Sequence, residues 1–169
     1  SSQQRITKRG LTEWTSAYNQ ITSINKLLEN AGSIAPGEQK TRLLGEAHFF
    51  RAFYYYKLLR QFGGPLLIDH TWNPLKDNVK FPRASYEQTV KFITDEAEQA
   101  FELLQTTNTP DNAGRPTKGA ALMLKAKTYQ WAAGVHFQNA EKDYLGFPDN
   151  RTDAMLDAAY AEYERIQKL

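Results

Sequence analysis

Residues 45–56 read Gly45-Glu46-Ala47-His48-Phe49-Phe50-Arg51-Ala52-Phe53-Tyr54-Tyr55-Tyr56, a run with six aromatic side chains. Successive residues of an α-helix are rotated by roughly 100°, so these aromatic side chains point in nearly every direction around the helix axis. A surface helix would carry a single apolar stripe instead. We therefore predict that this helix lies at the centre of the protein, where other helices cover it.

The residues that flank the aromatic run indicate where this helix begins and ends. Pro36-Gly37-Glu38 resembles a helix start, and the glycines and proline of Gly63-Gly64-Pro65 are typical of a helix end. Before it, apolar residues at steps of three and four predict a first helix over residues 12–28. The sequence thus predicts two long helices joined by a short turn.

Three further helices are predicted from the same spacing. Ser85 and Gln88 form a capping-box pattern that opens the third helix, Thr117 can cap the fourth, and residues 152–166 carry the pattern of a fifth. Residues 65–82 and 138–151 show no helical period and are predicted to be long loops. We predict an all-α, tetratricopeptide-like helix-turn-helix array of about five helices with two long loops.

Composition limits the possible functions. Lys and Arg number 21 against 19 Asp and Glu, a net charge of +2 with no basic block, so nucleic acid is not an expected partner. The chain has no cysteine, which excludes thiol chemistry and Cys-ligated metals. There is no apolar stretch after Ser1 to form a signal peptide and no run of 18 apolar residues to cross a membrane. We expect a mature or excised globular chain.

No catalytic motif emerges from the spacing of reactive residues. Residues 114–119 match the first half of a phosphate-binding loop, but Ala120-Ala121 stand where Lys and Ser or Thr would hold phosphate and magnesium. His48, His70 and His136 lack the spacing of a zinc site. The sequence therefore predicts no catalytic residue, no bound metal and no cofactor.

Two sets of carboxylates are interpreted more simply as structural or solvent-exposed groups than as catalytic or metal-binding ones. Asp95, Glu96 and Glu98 are expected to form a solvated face of the third helix. Three further aspartates recur every four residues: Asp149, Asp153 and Asp157. Capping and the helix dipole explain most of this pattern, and a calcium site is the alternative interpretation.

Charged residues within the aromatic helix are expected to be paired. Because an unpaired buried charge is strongly unfavourable, we predict that Glu46, Arg51 or both bond across to another helix. Arg115 and Lys118 are the candidate partners of Glu46. His48 is expected to be a hydrogen-bonded packing residue rather than a ligand.

The aromatic helix and two later segments of the chain resemble the signature of the SusD/RagB-like nutrient-binding outer-membrane lipoproteins. The matching runs are Gly45 to Tyr55, Phe62-Gly63-Gly64-Pro65-Leu66-Leu67-Ile68, and Gly114-Arg115-Pro116-Thr117-Lys118-Gly119-Ala120-Ala121. The first helix is similar too, through Trp14, Tyr18, Ile21, Asn25 and Leu28. The chain departs from the family where Gly64 meets Pro65 directly and where Pro116 replaces a small residue.

The resemblance implies a function and a place in a larger fold. Residues 1–169 would be the helical scaffold region of a SusD-like protein, without its lipidated N-terminal cysteine and its C-terminal half. Such a protein is non-enzymatic and captures oligosaccharides or related nutrients at the extracellular face of the cell outer membrane. It passes them to a SusC-type TonB-dependent transporter and touches the membrane only through its lipid anchor. Two alternatives remain open, a peptide-binding tetratricopeptide-like adaptor and an α-helical glycosidase fragment.

The residues of the shared motifs are expected to be structural. They are Glu46, Arg51, Gly63, Gly64, Arg115, Thr117 and Lys118, and the resemblance transfers no binding residue. Trp14 and Trp131 lie in helical patterns and are expected in the core. Trp72 lies in a loop beside Asn73 and near His70, where an indole could stack on a sugar while its neighbours supply hydrogen bonds. These three are the candidate ligand-binding residues.

Overall fold

The protein consists of α-helices wherever the computed structural model describes it, which is over residues 2–72 and 82–169. No strand occurs in those ranges, and none of their helices is long and apolar enough to cross a membrane. The helices are α1 Ser2–Glu29, α2 Glu38–Phe62, α3 Tyr86–Leu103, α4 Lys118–Ala132 and α5 Thr152–Gln167, with short 3-10 turns at Ala31–Ser33, Pro110–Asn112 and Val135–Phe137. The all-α prediction of five helices is confirmed.

Helix boundaries are set by local chemistry. Ser85 Oγ accepts from the Gln88 amide at 3.0 Å, and the Gln88 side chain accepts from the Ser85 amide at 2.9 Å, which completes the predicted capping box. Thr117 Oγ1 accepts from the Ala120 amide at 3.3 Å and caps α4 as predicted. The first helix begins at Ser2, well before the predicted Thr12, because residues 2–11 are mostly polar and continue the helix without an apolar repeat of three and four.

Each helix packs against the next one along the chain, and α2 also touches α4. The main core gathers around α2, where Ala52, Tyr55, Leu58 and Leu59 are fully buried. The predicted central position of α2 is therefore confirmed on most of its circumference. One side remains uncovered, since Phe50 and Phe53 are 39% and 38% exposed.

The Gly63-Gly64 pair lets three loop segments meet at the end of α2. Gly63 adopts a left-handed φ of 72°, and the Gly64 amide donates to the Tyr144 carbonyl at 2.6 Å. Arg83 Nε donates to the Gly64 carbonyl at 2.8 Å, while the same guanidinium also bonds the Phe62 carbonyl and lies 4.0 Å from the centre of the Tyr144 ring. This junction directs the chain from α2 back along α1.

Candidate functional site

Residues 65–72 run as an extended segment held against α1 and α2 by side-chain hydrogen bonds. Tyr18 Oη accepts from the Leu66 amide and donates to the Leu66 carbonyl, both at 2.8 Å. Tyr55 Oη accepts from the Ile68 amide at 2.7 Å. Asn25 Nδ2 donates to the carbonyls of Ile68 and His70, both at 2.9 Å. Side chains therefore satisfy backbone groups that a strand would otherwise pair, and the segment is fixed without a sheet.

Arg51 ties this segment to α3. Its guanidinium donates to both oxygens of Glu96 at 2.7 Å and to the carbonyl of Asp69 at 3.2 Å. His48 Nδ1 lies 2.9 Å from Glu96 Oε2. Burial alone would raise the pKa of Glu96, but the bonds from His48 and Arg51 outweigh it and hold that pKa below its usual value. Arg51 is thus paired across helices as predicted, with a glutamate as its partner.

The expectation that Glu96 and Glu98 lie on a solvated face is wrong. Glu96 is buried against α2, and Glu98 faces α4 and α5, where Lys125 Nζ lies 2.6 Å from its Oε2. Arg165 binds both oxygens of Glu98 at 2.6 and 2.8 Å. The apolar stripe of α3 did not reveal this, because Glu96 and Glu98 lie beside that stripe and are covered by neighbouring helices. Asp95 does lie on an exposed surface, paired with Lys91 at 2.7 Å.

Glu46 takes Arg115 as its partner. Arg115 Nη1 donates to both carboxylate oxygens at 2.9 and 2.8 Å, which joins α2 to the turn before α4. Lys118, the other predicted partner, instead places its ammonium 4.9 Å from the centre of the Phe101 ring.

A surface groove of about 420 Å³ opens between α1 and the extended segment. The segment contributes alternate residues, as an extended chain does, and α1 contributes residues about one turn apart. Trp72, at one end, is 43% exposed. The lining residues are Trp14, Thr15, Tyr18, Asn19, Thr22, Leu66, Ile68 and Trp72.

The groove contains one of the three predicted ligand-binding residues. Trp72 lines it, whereas His70 bonds the Asp69 carboxylate through Nδ1 at 3.0 Å and is not a lining residue. Asn73 lies outside the described residues. The expectation that Trp14 lies in the core is met only in part: it packs against the main core, with its ring centre 5.0 Å from those of Tyr18 and Phe62, but it is only half-buried and also lines the groove. Trp131 is likewise only partly buried, with the Arg60 guanidinium 4.6 Å from its ring centre.

Sequence reasoning missed the α1 side of the groove. Trp14 and Tyr18 lie four residues apart with polar Thr15 and Asn19 beside them, a pattern that differs from the purely apolar stripe of a buried helix. The polar neighbours were the available signal. What they face depends on the extended segment, which arrives from more than 40 residues away in sequence.

A second, smaller pocket of about 300 Å³ lies between α3, α4 and the start of α5. Both of its carboxylates are ion-paired, Glu87 with Arg151 and Asp95 with Lys91. Among the residues that the structure describes, no group of three or more His, Asp and Glu side chains could hold a metal ion.

Residues 2–130 match the sequence model of a SusD-like family described as "Starch-binding associating with outer membrane". This chain belongs to the SusD-like family. A SusD-like protein of Bacteroides ovatus is 29% identical over 126 residues, which cover 72% of this chain and 22% of that protein. SusD-like protein P2 of Formosa agariphila is 29% identical over 145 residues, covering 85% of this chain and 28% of its own length.

Solved SusD-like structures share the fold of this SusD-like chain. A SusD-like protein from Bacteroides fragilis matches with a TM-score of 0.73 and 26% identity over 91% of this chain and 27% of its own. A laminarin-binding SusD-like protein matches with a TM-score of 0.65 and 25% identity over 77% of this chain and 31% of its own. The chain thus spans about a quarter of the length of the curated relatives it matches.

Proposed function

We propose that this chain is the helical scaffold of a glycan-binding protein and that the groove between α1 and the extended segment holds the sugar. The observation that carries the proposal is the lining itself, in which Trp14, Tyr18 and Trp72 are combined with the hydroxyls of Thr15 and Thr22 and the amide of Asn19. Laminarin binding by a relative of the same fold supports the same ligand class.

The physical basis is the two-sided chemistry of sugars. Their C–H faces pack against indole and phenol rings, and their hydroxyls require donors and acceptors at the edge of the contact. A volume of about 420 Å³ lies within the usual range of small-ligand sites. Trp72 is carried on a segment anchored by Tyr18, Asn25 and Tyr55, so its backbone is positioned before any ligand arrives.

The proposal extends to the cellular location of the protein and to its partner. The chain would be one region of a longer protein, held by a lipid anchor at the extracellular face of the outer membrane and delivering its glycan to a SusC-type TonB-dependent transporter. The outer-membrane location is supported by the family description, which associates its members with the outer membrane. The longer protein is supported by the two curated relatives, because the matched regions cover only 22% and 28% of their lengths.

Two observations favour binding over hydrolysis. No carboxylate is among the lining residues of the groove that the structure describes. In the smaller pocket, Glu87 and Asp95 are eight residues apart on α3, which is about 12 Å along a helix and beyond the roughly 5–9.5 Å between glycosidase carboxylates. We therefore propose that the protein returns oligosaccharides uncleaved.

The lining also distinguishes this proposal from a peptide-binding adaptor. A groove that holds peptide tails would be expected to offer Asn, Lys and Arg; the described lining offers Asn19 but neither Lys nor Arg.

Titration calorimetry of the complete protein with a panel of oligosaccharides tests the proposal. Trp72→Ala should weaken binding by about 1–3 kcal/mol, as expected for a packed aromatic contact, and leave the melting temperature unchanged. Tyr160→Ala is the matched control, because Tyr160 is an exposed aromatic residue on α5, outside the groove. Unchanged affinity in Trp72→Ala, or a loss accompanied by a lower melting temperature, would assign Trp72 to loop packing.

A further inference from the structure

We infer that the groove selects neutral glycans and discriminates against those that carry carboxylate or sulfate groups. This inference rests on the proposed function and names the substrate class of the same site. Its basis is the charge of the groove and of the groups around it.

The lining residues that the structure describes are all uncharged. An anionic group held against these side chains loses part of its hydration, which is unfavourable unless a cation pairs with it. The groove offers hydroxyl, amide and indole groups, which suit the hydroxyls of a neutral sugar; the Thr22 hydroxyl donates to the Tyr18 carbonyl at 2.8 Å and so offers an acceptor. Even the Tyr18 hydroxyl is already occupied by the backbone of Leu66.

Arg51, which bonds the extended segment, and Arg83, which bonds the junction before it, are both committed to other contacts. Arg51 is buried and gives its protons to Glu96, Asn25 and the Asp69 carbonyl. Arg83 gives its protons to the carbonyls of Gly64 and Phe62. Neither guanidinium is a lining group of the groove, and a rearrangement toward an anion would break contacts that anchor Trp72.

Among the residues that the structure describes, the charges nearest to the lining have opposite signs. Glu29 lies two turns after Thr22 on α1, and its Oε1 accepts from the Thr71 amide at 2.5 Å, immediately before Trp72. That hydrogen bond lowers the pKa of Glu29, so a carboxylate charge stands at the Trp72 end of the groove at neutral pH. Lys26, one turn after Thr22, is exposed and of opposite sign, and it is included in the test.

The experiment compares neutral and acidic oligosaccharides of equal length on the complete protein by titration calorimetry. The neutral probes are cello-, laminari-, malto- and xylo-oligosaccharides, and the acidic probes are oligogalacturonates and oligomannuronates. We expect at least one neutral probe to bind, and every acidic probe to bind at least about tenfold more weakly than it.

A gain-of-function variant makes the test specific. Thr22→Lys places an ammonium in the lining and should raise the affinity for oligouronates at least about fivefold, an increase that added salt removes. Ser23→Lys is the matched control, since it adds the same charge to the adjacent exposed position outside the lining and should change little.

The possible failures are distinguishable. If oligouronates bind the wild type as tightly as neutral probes and Trp72→Ala weakens both, the selectivity is wrong while the groove remains the glycan site. If Lys26→Ala then lost the oligouronate binding, Lys26 would be the cation that pairs with the acidic sugars, and the inference would be wrong. If no probe depends on Trp72, the proposed function fails and the inference fails with it.

Discussion

At the scale of single residues, Gly63 and Gly64 have the narrowest tolerance for substitution. A Cβ at Gly63 would lie 2.2 Å from the Tyr144 carbonyl oxygen, and one at Gly64 would lie 2.0 Å from the Ala84 carbonyl oxygen. These neighbours are backbone atoms, so no side-chain rotation can relieve the clash. A side chain at either position would force these segments apart, which supports the prediction from the resemblance that both glycines are structural.

Gly64→Ala is therefore expected to lower the free energy of unfolding by at least about 2 kcal/mol, since the backbone around Ala84 must move. Gly32→Ala is the control, because no atom lies within 4 Å of a Cβ built there. Urea unfolding followed by circular dichroism gives both values. Equal, small changes in the two variants would show that the junction is loosely packed.

At the scale of helices, carboxylate–cation pairs join neighbouring helices in addition to the apolar contacts. Glu46 joins α2 to the turn before α4 through Arg115, and Arg51 joins α2 to α3 through Glu96. Glu98 joins α3 to α4 and α5. The Arg51–Glu96 pair is the most buried of these and also supports the extended segment, so it links helix packing to the position of Trp72.

Removing one member of the Arg51–Glu96 pair should lower the free energy of unfolding more than removing both members. Arg51→Met leaves Glu96 buried with only His48 beside it and should reduce the free energy of unfolding by about 3–5 kcal/mol. Combining it with Glu96→Leu should restore a large part of that loss, because no unpaired charge then remains.

The control for this pair is Lys91→Ala, which breaks the exposed Lys91–Asp95 pair and should change stability by less than about 1 kcal/mol. A double-mutant cycle on urea unfolding measures the coupling. Additive effects of Arg51→Met and Glu96→Leu would mean that the pair contributes nothing as a unit.

At the scale of the whole molecule, stability should fall in acid through the carboxylates that join the helices. Bonds from Arg165 lower the pKa of Glu98 to about 2, against the opposing effect of partial burial, and the bond from Lys125 acts in the same direction. A carboxyl whose pKa is lowered by folding stabilises the native state above its unfolded pKa of 4.5. That contribution is lost as pH falls from 4.5 toward 2. The lowered pKa of Glu96 adds a loss of the same sign.

Glu98→Gln tests this contribution directly. The urea midpoint of the variant should lie below that of the wild type at pH 7, and the difference should shrink between pH 4.5 and 2 as the wild-type carboxylate is protonated. Glu164→Gln, at an exposed position of α5, serves as the control. A difference that is constant with pH would assign the effect of Glu98→Gln to packing.

Local sequence patterns were enough to predict the five helices, the caps at Ser85 and Thr117 and the central place of α2, and motifs spread along the chain were enough to predict the family. The helices and caps depend on residues within about four positions of one another, as the Ser85–Gln88 capping box shows. The tertiary structure alone decided which partner each charge takes and what faces Trp72. The sequence predicted Glu96 on a solvated face, but α2 covers it with Arg51; it predicted Trp14 in the core, and Trp14 packs there while also forming a groove wall with residues 65–72. Both outcomes depend on which helix faces meet across 45 or more residues, and local periodicity does not encode that choice.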